Sequence, residues 1–179
     1  PPHASSSAAS DVYKRQDLER PLEDVAMNGT RLLMHAPGAP GLRMLGLGPG
    51  LRPTRGLYKL QRLLNQHAFW AQGRSIGQLR RMLAGSAAVA SLWRGKRLVG
   101  FARASSDGAF RAVLWDVVIP EDVQGRGLGR QLVEALLEHP RLQGVERIYL
   151  MTTNGEGFYM QLDFRRSNGQ TLMLKESSG

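Results

Sequence analysis

The stretch from Phe110 to Leu137 constrains the fold most. Phe110–Ile119 is a long β-rich run (Phe-Arg-Ala-Val-Leu-Trp-Asp-Val-Val-Ile), and Pro120 ends it because proline has no N–H to continue a ladder. Leu128, Leu132, Val133, Leu136 and Leu137 then recur at helical spacing, and that pattern stops before Pro140. Between strand and helix lies Gln124-Gly125-Arg126-Gly127-Leu128-Gly129. The first N–H groups of a helix lack internal partners, and the macrodipole adds about half a positive charge there. Glycines let the backbone approach a bulky anion and adopt positive φ. Arg126 and Arg130 add charge-assisted donors, so the loop reads as a pyrophosphate cradle. A Walker loop would need Gly-Lys-Ser/Thr, which is absent, and the third glycine of a dinucleotide motif would fall on Arg130.

The flanking patterns place this unit in a larger sheet. Leu42–Leu47 is a short strand candidate. Leu57, Leu60, Leu63, Leu64 and Ala68 predict a helix over 56–70, and Ile76, Leu79, Met82 and Leu83 a second one, with Ser75 and Gln78 as its capping box. Ala87–Trp93 and Arg97–Ser105 are strand patterns joined by a hairpin signature, Arg94-Gly95-Lys96. Beyond the central helix come a strand over Glu146–Thr152, a short helix over Gly155–Leu162, and a closing hairpin of Phe164–Asn168 with Thr171–Leu174. The order βααβββαβαββ is that of an α+β fold, a mixed and mostly antiparallel sheet flanked by helices. Residues 42–179 are expected to be one domain and 17–41 a loose, Gly- and Pro-rich lead-in. Asp11-Val12-Tyr13-Lys14-Arg15-Gln16 looks like a translated sequencing adaptor, so residues 1–16 are expected to be an assembly artefact.

Composition removes several chemistries. With no cysteine, disulfides, thiolate metal sites and a cysteine nucleophile are excluded, and a reducing compartment is compatible. The four histidines have no metal-ligand spacing, so no metal is expected. No apolar run is long enough to predict a membrane span. Residues 25–106 hold thirteen Arg or Lys and no Asp or Glu. Such a block favours an acidic partner or is a solvated basic surface; no nucleic-acid recognition motif accompanies it. Gly73-Arg74-Ser75-Ile76-Gly77 formally fits a nucleophile elbow, but that elbow follows a buried strand and here a helix pattern precedes it.

Gln124-x-x-Gly127-x-Gly129 resembles the Q/R-x-x-G-x-G/A signature of the GNAT superfamily of N-acetyltransferases. Phe101–Asp107, Trp115-Asp116-Val117-Val118 and Gly157–Phe164 resemble one branch of it, the cyanobacterial and plastid enzymes described as serotonin N-acetyltransferase-like or as protein N-terminal and lysine acetyltransferases. The resemblance spans about residues 42–174. It implies acetyl-CoA as cosubstrate and a cytoplasmic enzyme (plastid stromal in a photosynthetic eukaryote), monomeric or homodimeric. It also implies that the backbone of Val117, Val118 and Ile119 holds the thioester arm, that Gln124–Arg130 holds the pyrophosphate, and that Tyr159 protonates the departing sulfur. Asp163 departs from the branch, which has glycine before the phenylalanine, and a strained backbone is expected there.

Two further positions, Asp116 and Asn154, follow from the residues, and three more from the resemblance. Asp116 is a carboxylate inside an apolar strand; it either pairs with an arginine or opens into a site where burial tunes it as a base. Alternation places it on the face of Leu114 and Val118, with Trp115 opposite, in the core. Asn154 is either an acceptor contact or a helix cap. Phe69, Trp70 and Arg74 sit where the family's first helices wall the acceptor site. The resemblance implies an amine acceptor, and the basic block favours a protein N-terminus or lysine over an arylalkylamine. The alternative is a catalytically silent acyl-CoA-binding or acidic-partner-binding module on the same fold.

Overall fold

The computed structural model describes residues 26–27, 29–42 and 55–176. The adaptor-like segment 1–16, and the candidate strand Leu42–Leu47 except for Leu42, lie outside the described residues. Among the described residues, six strands form one sheet in sequential order: β1 (Ala26–Met27), β2 (Thr30–His35), β3 (Ala88–Arg94), β4 (Arg97–Ser106), β5 (Arg111–Val118) and β6 (Arg147–Tyr149). All neighbours are antiparallel except β5 and β6, which are parallel. The helices are α1 (Gly56–His67), α2 (Ile76–Ala84), α3 (Leu128–Leu137) and α4 (Glu156–Met160). The fold is therefore the expected α+β sheet flanked by helices.

Each face of the sheet is covered by a separate apolar layer. Leu60, Leu63, Leu64, Leu79 and Leu83 of α1 and α2 pack with Leu33, Val89, Trp93 and Phe101. Leu128, Leu132, Val133 and Leu136 of α3 pack on Ala88, Ala90, Leu92, Val99, Ala102 and Ala104. The small alanines let α3 lie close to the strands, and each fully buried leucine contributes on the order of 2 kcal/mol. Coverage of both faces explains why β3 is buried at six consecutive positions and shows no alternation. Ser75 caps α2 as expected: its hydroxyl accepts the Gln78 N–H at 3.2 Å and the Gln78 side chain accepts the Ser75 N–H at 2.7 Å.

Two expectations are corrected. The stretch 17–41 is not wholly a loose lead-in, because β2 pairs with β3 along its whole length and β1 pairs with β2. Leu33 is buried, and His35 bonds Ser91 Oγ through Nε2 at 2.6 Å. The closing hairpin is absent: residues 165–176 form no strand, and Leu172, Met173 and Leu174 are exposed. A hairpin needs an apolar face to bury, and these residues contact no such layer.

Candidate functional site

Strands β5 and β6 part company early. Their parallel ladder covers only Arg111–Val113 with Arg147–Tyr149. Beyond it, one cavity of about 1160 Å³ is walled by Leu114–Ile119 on one side and Leu150–Gly155 on the other. The glycine loop closes one end, with Gln124, Gly125, Gly127, Leu128, Gly129 and Arg130 in the wall, while Arg126 is exposed and outside it. His67, Phe69, Trp70, Arg74, Arg103 and Asp116 form the other side, and Phe158, Tyr159 and Gln161 of the α4 region complete it. Every residue proposed from sequence except Arg126 thus lines one cavity.

The loop has the geometry of an anion cradle. Gly125 and Gly127 have φ of 72° and 75°, values that a side chain would strain, and a Cβ at either would project into open space. Gly127 starts α3 without a side-chain cap, and the first helical bond runs from the Gln131 N–H to Gly127 O at 3.1 Å. The preceding helical N–H groups therefore point out of the helix end toward the cavity. Gln124 Nε2 donates to Ile119 O at 2.8 Å, tying the loop to the end of β5. Arg130 donates to Glu134 at 3.0 Å and to Gln161 O at 3.0 Å, which links α3 to the α4 region. This donor set suits a pyrophosphate-bearing ligand.

Asp116 is placed by an irregularity that alternation does not anticipate. Phe101 pairs with Val118 and Arg103 with Trp115, so Asp116 and Val117 together oppose Ala102. This β-bulge, with Asp116 at φ 52°, reverses the side-chain parity of the strand. Leu114 accordingly packs on the α3 side and Val118 on the α1/α2 side, so the two do not share a face. The Asp116 carboxylate accepts Arg103 Nε–H at 2.7 Å and Arg74 Nη1–H at 3.1 Å, with its own side chain 3% exposed. Of the two alternatives, pairing with arginine is the one observed. Trp115 is half-buried in the cavity wall, not in the core; its Nε1–H donates to Ser105 Oγ at 2.8 Å.

Tyr159 is half-buried between Phe158 and Phe164, with ring centroids 4.9 and 5.9 Å away. Burial pushes its phenol above the ordinary 10.0, so it holds its proton at neutral pH. Asn154 is in the cavity wall and does not cap α4, whose cap residue is Gly155 with no side-chain bond. Asp163 has φ 63°, the left-handed backbone in which strain is expected. Sequence reasoning did not single out Arg103 or His67. The signal for Arg103 was the buried carboxylate itself, which demands a cation from the neighbouring strand.

Known proteins resemble the chain throughout this region. The profile of the Acetyltransferase (GNAT) family matches residues 56–164. An "Uncharacterized N-acetyltransferase ycf52-like" of Prochlorococcus marinus is 33% identical over 126 residues, covering 68% of this chain and 66% of that one. "Serotonin N-acetyltransferase 2, chloroplastic" of Oryza sativa subsp. japonica is 48% identical over 69 residues, covering 38% and 34%. A crystal structure assigned to the GNAT family, from Xanthomonas campestris pv. campestris, superposes with TM-score 0.59 at 30% identity, covering 67% of this chain and 84% of that one. The matched stretch spans about two thirds or less of these two curated relatives. No helix among the described residues is long and apolar enough to cross a membrane.

Proposed function

The chain belongs to the acetyltransferase (GNAT) family, and on that premise we propose that it transfers acetyl from acetyl-CoA to a primary amine by direct attack in a ternary complex. The amine is a protein N-terminus, a lysine or an arylalkylamine. The observation that carries this reading is the single cavity running from the glycine loop, along the parted edge of β5, to Tyr159. Acetyl-CoA supplies an acyl group already activated as a thioester.

The chain's own residues have separate tasks. The loop N–H groups and Arg130 hold the pyrophosphate. The edge of β5 at Val117–Ile119, which β6 leaves uncovered, offers backbone N–H and C=O groups to the extended arm. Tyr159 keeps its proton for the departing sulfur, supported by its raised pKa and its place in the wall. Asp116 is engaged by two arginines, which favours a positioning role over that of a free base. The cytoplasm, or the plastid stroma in a photosynthetic eukaryote, suits a chain without cysteine. Incubation with acetyl-CoA and a panel of peptides and amines tests the reading: acceptor-dependent thiol release and an acetylated product are expected. Stabilisation by acetyl-CoA with no thiol release from any acceptor would leave only a binding module.

A further inference from the structure

The acceptor side of the cavity carries a charge arrangement that acetyl transfer by itself does not require. Asp116 takes one N–H from Arg103 and one from Arg74. A guanidinium has five N–H donors in a rigid plane, so both arginines keep donors beyond those Asp116 occupies. Two cations against one anion leave one positive charge in excess in this wall. Arg103 is further fixed by the Trp115 ring, 5.6 Å from its guanidinium carbon. The arginine side chains are 16% and 30% exposed, for Arg103 and Arg74 respectively. An attraction between charges in such a partly desolvated wall is stronger than in bulk water.

The surrounding charges do not cancel the excess. Among the described residues, Asp116 is the one carboxylate in the cavity wall. His67 is bonded to Glu121, and Arg130 lies at the glycine-loop end, paired with Glu134. Beside the arginines, Phe69 and Trp70 present exposed, edge-to-face rings in the same wall, apolar surface for residues flanking an amine.

We propose that Arg74 and Arg103 form a subsite for a carboxylate of the acceptor, so that acidic peptides are preferred over cationic arylalkylamines. This rests on the acetyl-transfer reading above and names the acceptor class within it. Asp116 acts as a positioning residue: by holding Arg103 through Nε, it leaves the two terminal nitrogens of that guanidinium available to the acceptor.

The test compares three acceptors on the wild-type chain: a peptide with Glu beside its free N-terminal residue, its Gln counterpart, and tryptamine. The Glu peptide is expected to exceed the Gln peptide in kcat/KM by tenfold or more, as a charge-assisted contact supplies, with tryptamine poorer still. The advantage is expected to shrink as salt is raised. Arg74→Gln should collapse the Glu-to-Gln ratio toward one through KM, and Arg74→Lys should retain part of it. Equal kcat/KM for the two peptides on wild type, which needs no variant to fold, overturns the subsite and leaves acetyl transfer standing. Thiol release from none of the three acceptors overturns the transfer reading and the subsite with it.

Discussion

Arg103 grips two consecutive residues of β5 at once: its Nε–H meets Asp116 Oδ2 at 2.7 Å and its guanidinium lies over the Trp115 ring at 5.6 Å. Consecutive strand residues ordinarily face opposite ways; the bulge at Asp116 and Val117 brings both to one side. Removing Asp116 would strand Arg103 and Arg74 without their shared anion. Breaking a buried pair by removing one partner costs about 3–5 kcal/mol, and the partial exposure of Arg74 places this case near the lower end. Asp116→Ala is therefore expected to destabilise the fold by about 3 kcal/mol in chemical denaturation. A double-mutant cycle with Arg103→Ala should give a coupling above about 0.5 kcal/mol; additivity would show the contact to be energetically idle.

Gly127 and Gly144 form a matched pair of probes. Both have positive φ, 75° and 79°, and neither would clash through an added Cβ. Alanine at either should cost about 1 kcal/mol of stability through backbone strain alone. Only Gly127 borders the cavity, so Gly127→Ala should also weaken acetyl-CoA binding, measured by calorimetry, about tenfold or more. Equal affinity in the two variants would argue against the loop as the cradle.

The parts of the fold that were legible in the sequence are those with one strong period and a marked end. Helices α1 to α3 and the glycine loop fall where leucine spacing, Ser75, Pro120 and Pro140 put them. Strand β2 escaped because Thr30–His35 has buried and half-buried positions on both faces, so it offers no alternation. Thr171–Leu174 misled in the opposite direction, since β-rich composition cannot supply the neighbouring strand that a ladder needs. The oddness of Asp116 was plain from its apolar neighbours. Its partners were not, because Arg74 lies 42 residues away and the bulge that aims the carboxylate depends on the pairing with β4.

His35 should set an acid limit to stability. It is buried on β2, its Nε2 bonded to a Ser91 hydroxyl that also accepts the Trp93 indole N–H at 2.7 Å. Burial lowers its pKa from 6.5 to about 4, so the unfolded chain binds the proton more readily than the fold. Stability is then complete above pH 6.5 and falls by about 1.4 kcal/mol per unit as pH drops toward 4. His139, lowered by its own burial, acts in the same direction. His35→Gln should flatten this limb in urea titrations between pH 6.5 and 4; an unchanged slope would assign the limb to other groups.

Asp163 holds φ 63° just before Phe164, which packs on Tyr159. Glycine removes the left-handed strain but gives the unfolded chain more freedom. Asp163→Gly is therefore expected to be stabilising by under about 1 kcal/mol, whereas the β-branched Asp163→Val should be destabilising by more than that. Thermal melts of both variants check the sign, and a destabilised glycine variant would mean that the aspartate side chain contributes more than its backbone costs.

Tyr159 as general acid makes a claim about pH as well as about rate. Losing such a proton donor costs typically 10²–10⁴-fold, so Tyr159→Phe should lower kcat by about that factor while the ring continues to pack on Phe158 and Phe164. Affinity for acetyl-CoA should change little, because the phenol, not the ring, is lost. Burial raises the phenol pKa above 10.0. The acid form therefore persists through the range near pH 8 in which an N-terminal α-amine becomes neutral, and for that acceptor the two requirements do not compete. With an N-terminal acceptor, wild-type kcat should then rise with pH as the amine loses its proton, and any falling limb from Tyr159 should be centred above pH 10. A falling limb centred well below 10 that vanishes in Tyr159→Phe would contradict the raised pKa; one that survives the substitution belongs to another group.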